Sequence, residues 1–253
     1  MGCIICNESS RKFEIQVENR DFKPYREFLY FQCENCETLQ LDLQNDEPLY
    51  FYPKNYYSFI RQKPILIRML KKRIDEYAFR QSGLMGGFLA KFFPSTDVEA
   101  VRAAYDDGRH DEYTSVLDIG SGSGWLLERL EHLGFKNLTG IDPYIDSDIS
   151  RGKHVNVYKM QLKEVKGIYD LVISNHSFEH MTDPVLAIGY IKNLLSKKGC
   201  AIIRTPVFPN RIWEIYRENW CAIDAPRHIF IPSIKAMKLL AEWSGLCVDR
   251  VIF

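Results

Sequence analysis

Val116-Leu117-Asp118-Ile119-Gly120-Ser121-Gly122-Ser123-Gly124-Trp125-Leu126-Leu127 sets an apolar run against three glycines spaced by two, then returns to apolar residues. A buried strand that turns through bare backbone into a helix brings main-chain N–H groups close to a ligand, as at the first crossover of an open α/β sheet. A dinucleotide fingerprint requires a third glycine three residues beyond Gly122, and Trp125 stands there, so a nicotinamide dinucleotide is only the runner-up ligand. Downstream, Leu138-Thr139-Gly140-Ile141-Asp142 ends a second apolar run in an acid. A carboxylate at that point can accept both hydroxyl hydrogens of a ribose.

The alternation continues outward from the loop. Apolar, β-branched runs predict strands at 115–119, 137–141, 154–158, 169–174, 200–204 and 247–253, and helical periodicity predicts helices at 125–133, 184–195 and 233–244. Strands alternating with helices imply an α/β fold, a parallel sheet covered by helices on both faces. Upstream, the aromatic run through Tyr56-Tyr57-Ser58-Phe59 leads into an amphipathic helix over 64–80, with Pro64 suited to its first turn; Gly83, Gly86 and Gly87 are expected to break any helix beyond residue 80. At the N-terminus Phe13, Ile15 and Val17 alternate in β fashion ahead of Phe28-Leu29-Tyr30-Phe31. The expected domains are a small β module at 1–48, an aromatic and helical bridge and lid at 49–112, and the ligand-binding domain at 113–253.

Four of the seven cysteines form the pairs Cys3-x-x-Cys6 and Cys33-x-x-Cys36, on either side of a predicted hairpin. A Cys-x-x-Cys turn presents two sulfurs to one ion, and two such turns complete the four thiolates of a structural zinc site. A redox pair is the alternative, but a thioredoxin-type pair comes singly at the start of a helix. So small a module would draw much of its folding free energy from the metal. Cys200, Cys221 and Cys247 stand in apolar contexts and are expected to be buried. The 253 residues balance 33 Lys+Arg against 33 Asp+Glu, which removes the simplest case for a nucleic-acid binder. No apolar run approaches the length of a membrane span, and no secretory signal is visible, so the expected compartment is cytoplasmic.

Asp118-x-Gly120-x-Gly122-x-Gly124, Asp142 and Tyr169-Asp170-Leu171-Val172-Ile173-Ser174-Asn175 together resemble a class I S-adenosylmethionine-dependent methyltransferase with its Rossmann-like sheet, over about residues 113–253. The resemblance implies that Gly120, Gly122 and Gly124 line the methionine moiety, that Asp118 supports its amino group and that Asp142 holds the ribose. It places Met160-Gln161-Leu162 at the adenine, with Gln161 where such enzymes often carry an acid, and it adds Asn175 to the cofactor-binding residues. The family's sheet closes with a two-stranded hairpin after the last helix. Here 247–253 supplies one strand, so the expectation is a chain ending early or an open sheet edge.

Methyl transfer from a sulfonium is a direct displacement, in which alignment of the reacting groups matters most. A hydroxyl or carbon acid also needs a base. The fourth strand runs into Asn175-His176-Ser177-Phe178-Glu179-His180 and not into the Asn/Asp-Pro-Pro-aromatic run of enzymes that methylate exocyclic amino groups of bases. His176 is a candidate base, while Glu179 and His180 read as residues that fix the loop. In Asp224-Ala225-Pro226-Arg227-His228, Asp224 and His228 are candidate acid and base beside a cation, with loop tethering the alternative for His228. This run, the cysteine pairs and Tyr56-Tyr57-Ser58-Phe59 resemble zinc-binding methyltransferases of bacterial polysaccharide and sugar modification. The expected acceptor is therefore a sugar, nucleotide sugar or glycan, with nucleic acid disfavoured. An RNA methyltransferase using the zinc ribbon, and a non-catalytic cofactor-binding module, are the competing readings. Seven basic residues between Arg61 and Arg80 suggest phosphate or peripheral membrane contact, against the plainer reading of a solvated face.

Overall fold

The structure, a computed structural model, describes residues 2–20, 23–42, 64–105 and 114–253. Tyr56, Tyr57 and Arg61, and with them the predicted lid, lie outside these. The chain forms two compact units that interleave in sequence: Met1–Phe51, His176–Lys192 and Arg204–Phe253 make one, and Tyr52–Asn175 with Asn193–Ile203 the other.

The second unit carries a six-stranded sheet of β4 (Ser115–Ile119), β5 (Asn137–Ile141), β6 (Ile149–Arg151), β7 (Val155–Tyr158), β8 (Tyr169–Asn175) and β9 (Leu195–Arg204), in the order β6-β7-β5-β4-β8-β9. The four central strands run parallel, and the short β6, absent from the sequence expectation, pairs antiparallel with β7. Register fixes the functional edge: Ile119 lies opposite both Ile141 and Ser174, so Gly120, Asp142 and Asn175 leave the sheet side by side. The core joins Val116, Leu138, Val155 and Ile173 of the strands to Leu127 and Leu130 of α4 (Trp125–Leu133) and to Ala78, Val98 and Val101 of α1 (Ile65–Arg80) and α3 (Thr96–Tyr105). Beneath α4 a buried ionic network ties these helices together. Arg129 donates to both oxygens of Asp75 at 2.7 Å, to Ser95 Oγ at 2.6 Å and to Asp97.

Two expectations fail in this unit. Gly86 and Gly87 do not stop a helix; they lie inside α2 (Leu84–Ala90). A Cβ at Gly86 would stand 2.3 Å from the Arg73 carbonyl oxygen, and one at Gly87 2.8 Å from the Tyr77 ring. The glycines therefore permit close packing of α2 on α1. The short α3 was likewise unforeseen.

The first unit is built on an antiparallel sheet of β1 (Arg11–Glu18), β2 (Glu27–Cys33), β3 (Leu39–Leu41) and β10 (Phe230–Ile231), in that order. The N-terminal module is thus not self-contained over 1–48: it takes its fourth strand from far along the chain. Its apolar face, Val17, Tyr30, Leu39 and Leu41, packs on Phe208, Trp213, Trp220, Ile223 and Ile231, and Phe13 stacks on Trp213 at 5.7 Å. The unit also holds α5 (Pro184–Leu194), most of which lies within it, α6 (Arg211–Tyr216) and α7 (Ile234–Trp243), the last capped by the Ser233 hydroxyl. Residues 247–253 form no strand: Val251, Ile252 and Phe253 are exposed, and nothing pairs with their backbone in either sheet. Cys221 and Cys247 are exposed and so are not the buried fillers expected, while Cys200 is half-buried against the core.

Candidate functional site

At the edge of the parallel sheet the chain leaves β4 through a loop in which Gly120, Gly122 and Gly124 all adopt left-handed φ, at 72°, 53° and 78°. Only glycine takes this conformation without strain. The loop is anchored from β5, since Gly120 and Ser121 N–H both donate to the Ile141 carbonyl, at 2.8 and 3.1 Å. Asp142 accepts from Gly122 N–H at 2.9 Å and from Tyr144 N–H at 2.8 Å, so the predicted ribose acid also holds the loop. The buried Ser121 Oγ finds no partner among the described residues. Asp118, fully buried under the loop, has its carboxyl pushed up to about 8 by burial, with the neighbouring charges of Asp142 and Asp97 adding to it. Bare backbone above an acid held largely protonated at neutral pH fits a ligand carrying an ammonium group.

Gln161 has a local task as well. Its side chain and that of Glu164 form a capping box around the single turn Leu162–Glu164, with Gln161 N–H donating to Glu164 at 2.7 Å. Asn175 ends β8 level with Asp142, as the register requires.

In the first unit, His176 and His228 lie beside one carboxylate, Glu179, and Asp224 lies beside His228. His176, with φ at 52°, begins the segment, its N–H held by the Arg204 carbonyl at 2.8 Å. A non-glycine residue in that conformation is a strained position of the kind that clusters at functional sites. The turn Phe178–His180 comes next, Phe178 packing edge-on against Phe230 and the Glu179 carbonyl accepting from Ile229 N–H. The Glu179 side chain is completely buried, and neither of its oxygens has a hydrogen-bond donor among the described residues. His176 Nδ1 lies 3.5 Å and His228 Nε2 3.9 Å from Glu179 Oε1. Burial pulls the Glu179 carboxyl up, but the three histidines around it hold it below its ordinary value. Burial, joined by the nearby His180, pushes His228 below the ordinary imidazole value. Arg227 clamps Asp224 through two hydrogen bonds, one of 2.8 Å from Nε.

Sequence reasoning named His176, His228 and Asp224 as candidates for proton transfer and read Glu179 as a loop tether. Its signal was the spacing His176-x-x-Glu179-His180, one turn of chain. Nothing in the sequence revealed that the carboxylate would be buried without donors.

The four cysteines converge as expected. All four sulfurs lie within 4.8 Å of one another, with Cys3 to Cys36 at 3.4 Å and Cys6 to Cys33 at 3.5 Å. A tetrahedral ion with Zn–S bonds of about 2.3 Å sets its sulfurs about 3.8 Å apart. The two turns share a backbone plan. Asn7 and Glu37, each following the second cysteine of its pair, are left-handed, and each donates its N–H to the carbonyl of the first cysteine. Backbone N–H groups of Ile5 and Cys6 point at the Cys3 sulfur, and those of Asn35 and Cys36 at Cys33. Burial pushes the Cys33 thiol up to about 11, while the hydrogen bond with Cys3, joined by Thr38, lowers the Cys36 thiol to about 5. The donor set and its geometry fit structural zinc.

Residues 74–251 match the family described as "Methyltransferase domain". Among curated proteins, a tRNA U34 carboxymethyltransferase of Actinobacillus succinogenes is 26% identical over 162 residues, which cover 54% of this chain and 48% of that protein. One from Mannheimia succiniciproducens is 26% identical over 155 residues, 53% of this chain and 46% of that protein. The chain thus spans about half the length of these relatives. Among solved structures, the magnesium protoporphyrin IX methyltransferase of Synechocystis PCC 6803, with bound SAH, aligns with a TM-score of 0.49 at 16% identity, over 74% of this chain and 87% of that one.

Proposed function

The chain belongs to the methyltransferase-domain family, and on that premise we propose that it transfers a methyl group from S-adenosylmethionine to a hydroxyl of a sugar, nucleotide sugar or glycan. The cofactor half of this reading rests on one observation: β4, β5 and β8 end in register, so that the left-handed glycine loop, Asp142 and Asn175 share one edge above the buried Asp118. The bare backbone of Gly120, Gly122 and Gly124 would take the methionine moiety, Asp118 its ammonium, and Asp142 the ribose, with Gln161 and Leu162 near the adenine. When bound, the cofactor supplies an electrophilic methyl on a sulfonium. The chain's own residues then have to hold the acceptor and take its proton.

His176 is our choice of base. It follows β8 directly, its side chain is about half exposed at 52%, and its Nδ1 faces Glu179. A carboxylate on one ring nitrogen orients the imidazole and leaves the other to accept a proton. Asp224 and His228, clamped by Arg227 and by backbone carbonyls, would shape the acceptor's surroundings.

The acceptor class draws support from charge. Residues 1–48 carry five basic side chains, Arg11, Lys12, Arg20, Lys23 and Arg26, against ten acidic ones. An acidic ribbon is poorly suited to gripping a phosphate backbone. The names of the curated relatives favour a second reading, an RNA acceptor. A labelled-methyl assay against pooled nucleotide sugars, glycans and total RNA separates the two. We expect label in a sugar-containing pool, while label confined to RNA would replace the first reading by the second. Changing His176→Ala should lower kcat by about 10²–10⁴-fold, the usual contribution of a general base, and leave cofactor affinity unchanged. An unaltered kcat would remove His176 from that role.

A further inference from the structure

We propose that Glu179, His180 and His228 form a second metal site, distinct from the four cysteines, that takes a first-row divalent cation. One ligand atom from each of the three lies within 4.8 Å of the others. The His228 Nε2 to Glu179 Oε1 distance of 3.9 Å compares with the about 3.4 Å between ligands of a tetrahedral ion with bonds of about 2.1 Å.

Hydrogen bonding dictates what each ring offers. His228 Nδ1 lies 2.7 Å from the Ala222 carbonyl and His180 Nδ1 2.8 Å from the Arg227 carbonyl. A carbonyl only accepts, so both Nδ1 atoms carry hydrogen, and in the neutral ring the lone pair falls on Nε2. A backbone carbonyl on the far nitrogen is the usual way a metal-binding histidine is oriented. The His228 lone pair then faces Glu179 Oε1 at 3.9 Å and Asp224 Oδ2 at 3.8 Å, acceptor toward acceptor. Glu179 adds a fully buried carboxylate that no hydrogen bond from the described residues satisfies, His176 Nδ1 approaching Oε1 only to 3.5 Å. Groups arranged this way repel one another unless a positive charge lies among them. Arg227 is turned to Asp224, which it holds through two hydrogen bonds.

Two imidazoles and one carboxylate are a donor set suited to zinc, manganese or iron, and softer thiolate is absent from it. Three protein ligands leave coordination positions open, and a metal at such a site binds an oxygen ligand and lowers its pKa. The half-exposed His176 beside Glu179 marks the side facing solvent. The alternative occupant is a proton, which would make His228 an imidazolium paired with Glu179.

Titration of the full, zinc-loaded chain with Mn²⁺, followed by the electron paramagnetic resonance signal of free Mn²⁺, tests the site without reference to any acceptor. We expect one saturable Mn²⁺ per chain beyond the zinc of the cysteines. Glu179→Gln and His228→Asn should each weaken it by about 10–100-fold or more, with zinc content and S-adenosylmethionine binding retained. Should either variant fail to fold, the half-buried His180→Asn carries the same expectation. Absence of a second ion with Mn²⁺, Co²⁺ and Zn²⁺ alike at millimolar concentration would overturn the site in favour of the proton. So would Mn²⁺ binding unchanged in the folded variants. Because the readout is ion binding, failure of the methyl-transfer reading leaves this result standing, and the reverse also holds.

Discussion

Asp118 shows how one side chain can be legible in sequence and yet carry an unforeseen property. Its place two residues before the first glycine made it a candidate ligand residue. The carboxyl's shift to about 8 comes from full burial beside Asp142 and Asp97, and burial is written only in the fold. The sign of its effect is definite. A carboxyl raised in the folded state adds stability below its unfolded value of about 3.9, and that stability is lost as pH rises toward about 8. Asp118→Asn should therefore raise the thermal midpoint at about pH 8 and gain less near pH 4, as calorimetric melts across that range would show. An equal change at both ends would mean that Asp118 is ionised in the folded protein. Glu179 is the opposite case, a residue whose spacing is visible and whose missing donors are not.

At the scale of elements, the strands and long helices were readable because apolar periodicity survives in a single sequence. The ends of α1, α4 and β5 fall within a residue of where pattern and caps put them. Glycine was misread where its purpose is contact instead of conformation. Gly86→Ala installs a better helix former, yet its Cβ would meet backbone of α1 at 2.3 Å. We expect it to destabilise by about 1–3 kcal/mol, the cost of overpacking, in denaturant titration, whereas propensity alone predicts a gain. The Arg129 network makes a second point about helix docking. Arg129 and Asp75 are 5% and 2% exposed, so Arg129→Met leaves the buried carboxylate only Ser95 and the more distant Lys71 and should cost about 3–5 kcal/mol. A cost below about 1 kcal/mol would show that Asp75 finds water.

For the whole molecule, linear reading divided the chain into three consecutive zones, whereas the two compact units interleave in sequence. A chain-order division at 48 and 112 cannot anticipate that Phe230–Ile231 completes the ribbon's sheet or that Phe208, Trp213 and Trp220 cover its apolar face. Such pairings depend on contacts about 200 residues apart, which periodicity does not encode. The consequence is testable: stripping zinc with a chelator should expose amides of 28–41 and of 220–231 to hydrogen exchange together, since they share one core. Loss confined to the ribbon would contradict that shared core.

The most direct test of the account is calorimetric titration of the chain with S-adenosylmethionine at neutral pH in buffers of differing ionisation enthalpy. We predict binding at one site with release of close to one proton, as the ligand's ammonium ionises Asp118, and loss of that proton in Asp118→Asn. Binding should also weaken strongly in Asp142→Ala. No binding by the unaltered chain, or binding indifferent to both substitutions, would contradict the assignment of the glycine loop as the cofactor site.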